Sequence, residues 1–244
     1  MFKRDLIINL YTFDKTIFNL YKPQLANKFF PDGWKDMPKT YSSRAYAYNP
    51  MSTMEIDSPT VKTCSGIIDL FSSGFIIPSW SDMKLECMPE EVLCHSPSNM
   101  GLSESHSRSQ VWDSLYEGYQ HVKLLSPWLI KVSDDTKFAW MPCKWHRTDL
   151  SENFNVMTGV VEYKYQHVTN VQAFIKGGVS INAGDPLVHI VPITDRKIKL
   201  QYHLVEGKEF QSILGTKNLK YVGNYKERKE ILSKPTCPFG FGSK

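Results

Sequence analysis

The side chains best suited to chemistry lie in the second half of the chain. They are an imidazole, a guanidinium, two carboxylates and a phenol: His146, Arg147, Glu162, Asp185 and Tyr165. Groups of this kind bind polar small molecules where strand ends form the mouth of a pocket. One hypothesis is therefore that these five residues converge on a site for a nucleotide or another small ligand.

A purely structural interpretation stands beside that hypothesis. In an alternating strand, Glu162 next to Lys164 faces solvent while Val161 and Tyr163 face inward. The pair Gly184-Asp185 is typical of a hairpin turn with a left-handed glycine, and this interpretation is the favoured one. The spacing of these residues is therefore compatible with a ligand site and with ordinary strands and turns.

The metal-binding and cofactor-binding patterns that we tested are not present in the sequence. None of the seven histidines is followed two residues later by Asp or Glu, and no His-x-His pair occurs, which argues against the oxygenase and cupin metal sites. Cys87, Cys94 and His95 lie close together but form no Cys-x-x-Cys knuckle of the zinc-binding kind. We expect no metal and no cofactor.

Signatures of nucleophilic catalysis and phosphate binding are missing as well. The sequence has no G-x-x-x-x-G-K-[ST], no G-x-G-x-x-G after a strand and no G-x-S-x-G elbow. Adjacent residues such as Cys94 and His95 diverge on a strand, so they do not form a nucleophile and its base. No catalytic residue is assigned, and a non-enzymatic role is favoured.

Composition places the chain among ordinary globular proteins. It has 244 residues, 41% of them hydrophobic, with 29 Lys and Arg against 25 Asp and Glu for a net charge of +4. That charge is too small for a nucleic-acid wrapper, and the basic run between Lys217 and Lys234 is interrupted by Glu227 and Glu230, as on a solvated helix. We therefore expect neither nucleic-acid binding nor disorder. Five scattered cysteines favour reduced thiols, and no signal peptide or membrane-spanning run is recognisable.

Aromatic residues are concentrated before residue 60. Residues 1–59 combine a first strand, roughly Leu6 to Phe13, with a proline-rich stretch that forbids long helices. The aromatic side chains in the stretch that follows are those we expect to hold this segment against its own core or against a partner: Phe29, Phe30, Trp34 and Tyr41. The segment is predicted to be an extended arm.

A helix and then a series of strands follow the arm. Thr60 is a suitable N-cap and Gly74 a suitable end for a helix, which should lead into a short strand from Phe75 to Pro78. A Ser-, Pro- and Gly-rich stretch, 88–110, is predicted to be the longest loop. Seven short strands are then predicted: 121–125, 128–132, 138–142, 156–163, 169–175, 187–192 and 197–204.

The predicted fold is mainly β, with a single antiparallel β-barrel or a jelly-roll or β-clip-like sandwich as alternatives. We divide the chain into an arm at 1–59, a β core at 60–205 and a C-terminal extension at 206–244. Helices are predicted in that extension at Glu209 to Leu214 and Tyr221 to Leu232, before a Pro- and Gly-rich tail.

Two resemblances add to this interpretation. The stretch Gly159-Val160-Val161-Glu162, Tyr165 and then Gly184-Asp185-x-Leu187 resembles the last strands of the dUTPase and dCTP-deaminase barrel. In that family the carboxylate after Gly-Val-Val orients a water molecule and contacts deoxyribose, which implies such a role for Glu162. The phosphate motif of the family has no counterpart, since Arg147-Thr148-Asp149 is a poor substitute.

The second resemblance spans residues 22 to 196. The succession KPQLANKFFPDGWKDMP, TVKTCSGIIDLFSSGFIIPSWSDMKLE, LLSPWLIKV and GVVEYKY is similar to a family of tailed-phage and bacterial proteins. This resemblance implies a phage protein located in the host cytoplasm or the virion. We expect it to act through a protein partner or self-association, in assembly or host contact, without a membrane; the alternative is a nucleotide- or small-molecule-binding barrel.

Overall fold

A computed structural model of the protein describes residues 4–31, 33–46, 53–97, 102–106, 110, 117–146, 152–215, 226 and 229–230. The strands are β1 Leu6–Thr12, β2 Gln24–Leu25, β3 Thr40–Tyr46, β4 Thr53–Pro59, β5 Phe75–Pro78, β6 Met83–Cys87, β7 Val92–His95, β8 Ser103–His106, β9 Gln120–Leu124, β10 Leu129–Lys131, β11 Phe138–Pro142, β12 Phe154–Val156, β13 Gly159–Val161, β14 Val171–Ile175, β15 Gly178–Ile181, β16 Pro186–Pro192 and β17 Ile198–Leu204. The α-helices are α1 Lys15–Leu20, α2 Ser65–Ser72 and α3 Gly207–Leu214. The mainly β prediction is confirmed.

The described strands form several sheets that share one apolar core. Their orders are β10-β1-β17, β13-β11-β16-β5-β2, β12-β14-β9-β8, β15-β6-β7 and β3-β4. Buried side chains from the first four sheets belong to one cluster. These sheets do not close into a barrel within the described ranges, and the arrangement is consistent with the sandwich alternative.

The first strand is part of the core. Every second residue of β1 is buried, and Leu6, Ile8 and Leu10 contribute to the central cluster. β1 lies between β10 and β17, and it runs parallel to β17 in register from Leu6 opposite Ile198 to Thr12 opposite Leu204. The core thus begins well before residue 60, and the purely antiparallel expectation is wrong for this pair.

The elbow between α2 and β5 is held by Gly74. Thr60 caps a 3₁₀ turn at Val61–Thr63, and α2 follows after Cys64, so the regular helix is shorter than the sequence pattern predicts. Gly74 has a φ of +75°, and a Cβ there would lie 2.2 Å from the carbonyl oxygen of Ile190. Glycine is required both by the left-handed backbone and by the close passage of β16.

The later strands follow the sequence pattern closely, with local differences. β11 has the predicted bounds, and the predicted strand at 156–163 is divided into β12, which ends at Val156, and β13, which starts at Gly159. The stretch 88–110, predicted as a loop, contains β7 and β8. α3 confirms the first C-terminal helix, whereas most of the second, Tyr221 to Leu232, lies outside the described residues.

No helix in the described ranges is long and apolar enough to cross a membrane.

Candidate functional site

Glu162 is a buried carboxylate, not the solvent-facing residue that alternation predicts. β13 ends at Val161, and Glu162 begins a tight turn in which its carbonyl oxygen accepts from the backbone N–H groups of Tyr165 and Gln166, each at 3.1 Å. The strand period therefore stops before Glu162, and the residue is only 7% exposed. Tyr163 is fully buried, as predicted.

Lys229 neutralises the Glu162 carboxylate. Its Nζ donates to Oε1 at 2.8 Å and to Oε2 at 3.0 Å, so both carboxylate oxygens are engaged by one ammonium group. Burial of a carboxylate is strongly unfavourable without such a partner. The ion pair places Lys229 against the Glu162 carboxylate at the end of β13.

Tyr165 lies in the same cluster as Glu162. The Nζ of Lys229 is 5.7 Å from the centroid of the Tyr165 ring, within cation–π range. The Tyr165 hydroxyl donates to Oδ1 of Asp135 at 3.1 Å, and Lys164 reaches the same oxygen at 2.8 Å. The hydrogen bond from Lys164 is the main reason that the pKa of Asp135 is lowered. Two predicted residues therefore meet, together with partners that the sequence did not single out as a site.

Asp185 has a structural position in the turn between β15 and β16. Its Oδ2 accepts from the Asn182 backbone N–H at 2.7 Å, and Gly184 in this turn has a φ of +91°. The backbone of the same turn is bonded to Ser79 on both sides. The hairpin interpretation with a left-handed glycine is confirmed.

His146 lies in a different neighbourhood, packed against α2. Its ring meets Phe71 edge to face at 5.5 Å. Burial lowers the pKa of His146 to about 4, with a smaller contribution from nearby His189. The imidazole is thus neutral near pH 7. Arg147 lies outside the described residues.

The aromatic residues of the arm mostly contact the chain itself. Phe30 and Trp34 are stacked at 5.9 Å and both meet Phe71 edge to face, at 5.8 and 5.0 Å. Phe29 is half-buried and packs against a small cluster around Ile76. Tyr41 differs, because it lies on β3 and is 54% exposed. As predicted partner-binding residues, three of the four are already in contact with their own core.

A cavity of about 460 Å³ adjoins the strand that carries the Gly159-Val160-Val161 sequence. It lies where β13 and β11 approach β9 and β14, and its lining is Lys123, Trp140, Met157, Thr158, Gly159, Val161, Gln166, Val168, Asn170 and Gln172. The four predicted site residues that the structure describes, His146, Glu162, Tyr165 and Asp185, are not among the residues that line it. Sequence reasoning did not identify this cavity, because its lining comes from four separate segments.

Two further clefts are shallow and use their polar groups internally. One, of about 440 Å³, includes Asp134 and Arg196. The Arg196 guanidinium there donates to Asp134 Oδ2 at 2.5 Å and to the carbonyl oxygens of Arg4 and Asp5. The other, of about 420 Å³, lies beside Lys84 and His95, which both pair with Glu86.

Among the described residues, no group of three or more His, Cys, Asp or Glu side chains is placed to hold a metal ion. Cys87 and Cys94 lie on neighbouring strands, and burial is the main cause that raises the pKa of each thiol.

Comparison with known proteins places the chain in no family, since no family model and no curated protein matches it.

Proposed function

We propose that this protein acts through protein–protein contacts made by the ribbon of β3 and β4. The observation that carries the proposal is the isolation of this two-stranded sheet. β3 and β4 pair with each other over seven residue pairs, and within the described ranges no other strand pairs with them. A lone two-stranded sheet is marginally stable in water, so a partner that covers it supplies a physical reason for its presence.

One face of the ribbon carries two accessible apolar side chains. Tyr41 lies opposite Ser58, and Ile56 lies opposite Ser43. One pair, Ser42 and Asp57, lies between them, so Tyr41 and Ile56 project from the same face. Tyr41 is 54% exposed and Ile56 is 42% exposed. Tyrosine is enriched at protein interfaces because it combines a large apolar ring with a polar end.

The base of the ribbon is firmly held by the neighbouring 3₁₀ turn. Thr60 Oγ1 donates to the carbonyl oxygen of Pro38 at 2.7 Å. Lys62 Nζ donates to the carbonyl oxygens of Lys35 and Met37 at 2.7 and 2.8 Å. These bonds hold the segment that leads into β3, so the base of the ribbon loses little conformational entropy when a partner covers it.

The biological setting in this proposal is a phage-encoded accessory protein that contacts a virion or host protein, or a second copy of itself. It rests on the resemblance to tailed-phage and bacterial proteins. The nucleotide-binding alternative has less support, because both oxygens of Glu162 are held by Lys229.

The test places a photo-crosslinking amino acid at position 41 in cells that naturally make the protein. Ile193, 60% exposed and outside the ribbon, provides the matched control position. We expect one discrete adduct from position 41 and none from position 193, with mass spectrometry distinguishing a second copy from a different protein. The proposal is overturned if position 41 gives no adduct, or if both positions give the same one.

A further inference from the structure

We infer that the cavity beside β13 binds a neutral sugar ring. Its volume of about 460 Å³ lies within the range of small-molecule sites. Its lining combines one tryptophan and three aliphatic side chains with a hydroxyl and three carboxamides, the last from Gln166, Asn170 and Gln172. A sugar ring has the matching composition, since it carries C–H faces and a rim of hydroxyl groups that both donate and accept.

Two of the carboxamides are fixed in orientation by the protein. Asn170 Oδ1 accepts from the backbone N–H of Ser126 at 3.1 Å. Gln172 Oε1 is 2.9 Å from Nε2 of His121, which donates to it. Burial is the main cause that lowers the pKa of His121, so the imidazole is in its neutral form when it donates to Gln172. Polar groups held in this way bind a ligand with little further loss of freedom.

The charge of the lining selects an uncharged ligand. None of the lining residues is acidic, and the single cationic one, Lys123, forms an ion pair with Glu104. A phosphate group would need unpaired cationic or backbone donors to replace its hydration. The cavity therefore lacks the charge balance for a nucleotide, although it lies beside the strand that suggested one.

Trp140 contributes to the apolar wall of the cavity, and Gly159 leaves its opening free. The two residues are directly opposite each other in the β11–β13 pair. The Trp140 indole N–H donates to the Tyr163 hydroxyl at 2.8 Å, which fixes the plane of the ring. A Cβ added at Gly159 would meet nothing within 4 Å, so the space above this glycine is empty. The missing side chain of Gly159 is thus part of what keeps the cavity open.

The same lining favours a sugar over a nucleobase. A planar base needs cover on both of its faces, which proteins supply with two aromatic or apolar side chains. Here Trp140 is the one aromatic residue of the lining, so only one face of a base could stack on a ring. A pyranose places one C–H face on the tryptophan and its hydroxyl rim against the carboxamides.

The experiment is saturation-transfer NMR on the full chain with the methyl glycosides of glucose, galactose, mannose and N-acetylglucosamine. The Gly159→Leu variant fills the cavity from a position where the backbone accepts a side chain. Gly178→Leu is the matched control, since Gly178 is also an exposed residue at the start of a strand, has open space around its Cβ position and lies outside the cavity. Thermal unfolding of both variants establishes that they fold.

We expect at least one glycoside to give a signal with the wild type and with Gly178→Leu, and to bind at least about tenfold more weakly to Gly159→Leu. Comparing the responsive glycoside with an oligosaccharide ending in the same sugar then separates a free sugar from the end of a glycan. The inference is overturned if no glycoside binds, or if Gly159→Leu binds the responsive glycoside as well as the control variant does. It is also overturned if uridine and adenosine bind to the protein and the glycosides do not.

Discussion

Replacing Gly74 with alanine perturbs the contact between the α2–β5 elbow and β16 by a single methyl group. The backbone of Gly74 is left-handed, which costs an L-residue about 1–2 kcal/mol. The new Cβ would also lie 2.2 Å from the Ile190 carbonyl oxygen and 2.9 Å from the Val191 Cα, closer than the 3.0 Å that real Cβ atoms keep. Both atoms belong to the backbone of a strand paired on two sides, so they cannot rotate away.

The strand must therefore shift, and overpacking of this kind costs about 1–3 kcal/mol. Together the two effects lower the free energy of unfolding of Gly74→Ala by about 2–5 kcal/mol. The control is Gly177→Ala, where φ is +65° and the Cβ position is empty, so only the conformational cost of about 1–2 kcal/mol remains. Urea unfolding monitored by tryptophan fluorescence measures both variants. Equal destabilisation by the two substitutions would refute the close approach of β16 to the elbow.

Three further perturbations test the buried polar groups. Lys229→Met leaves the Glu162 carboxylate buried without its cation and should destabilise the protein by about 1–3 kcal/mol. Adding Glu162→Gln to the same chain should recover most of that stability. Additive effects of the two substitutions in this double-mutant cycle would contradict the ion pair. Burial lowers the pKa of His146 in the folded protein to about 4. On acidification the unfolded chain therefore binds a proton at this position before the folded protein does. The free energy of unfolding should fall as the pH drops from about 6.5 to about 4. His146→Phe should reduce the slope of unfolding free energy against pH in that window, and an unchanged slope would exclude the histidine. Tyr163→Phe removes the acceptor of the buried Trp140 indole N–H and should cost about 1–3 kcal/mol in urea unfolding, with no measurable loss arguing against that hydrogen bond.

Local pattern was sufficient to predict much of this fold. The strand from Phe75 to Pro78 and the strand from Phe138 to Pro142 have the bounds predicted from their apolar runs and flanking turn residues. Gly74 and Gly184 were both predicted to be left-handed from their positions at the end of a helix and in a turn. Such features depend on neighbouring residues only, which is why a single sequence reveals them.

Features that depend on distant partners were not predictable in the same way. Alternation placed Glu162 on the surface, whereas β13 ends one residue earlier and Lys229, 67 residues away in sequence, accounts for its burial. The short strand Val92–His95 lies in a stretch whose composition resembles a loop, and it is stabilised by pairing with Met83–Cys87. The cavity beside Gly159 shares this property, since its wall is assembled from four segments with no common motif.

The pairing of β1 with β17 also delays the completion of their sheet during synthesis. Leu6 pairs with Ile198, so β1 emerges from the ribosome 192 residues before the strand that completes its sheet. At about 5–20 residues per second, that interval is about 10–40 s. During this time the apolar face of Leu6, Ile8 and Leu10 has no completed sheet to enter, and the entropy of closing so long a loop makes the last step slow. The nascent chain is therefore vulnerable to aggregation at β1, which is a target for a chaperone that binds short apolar strands.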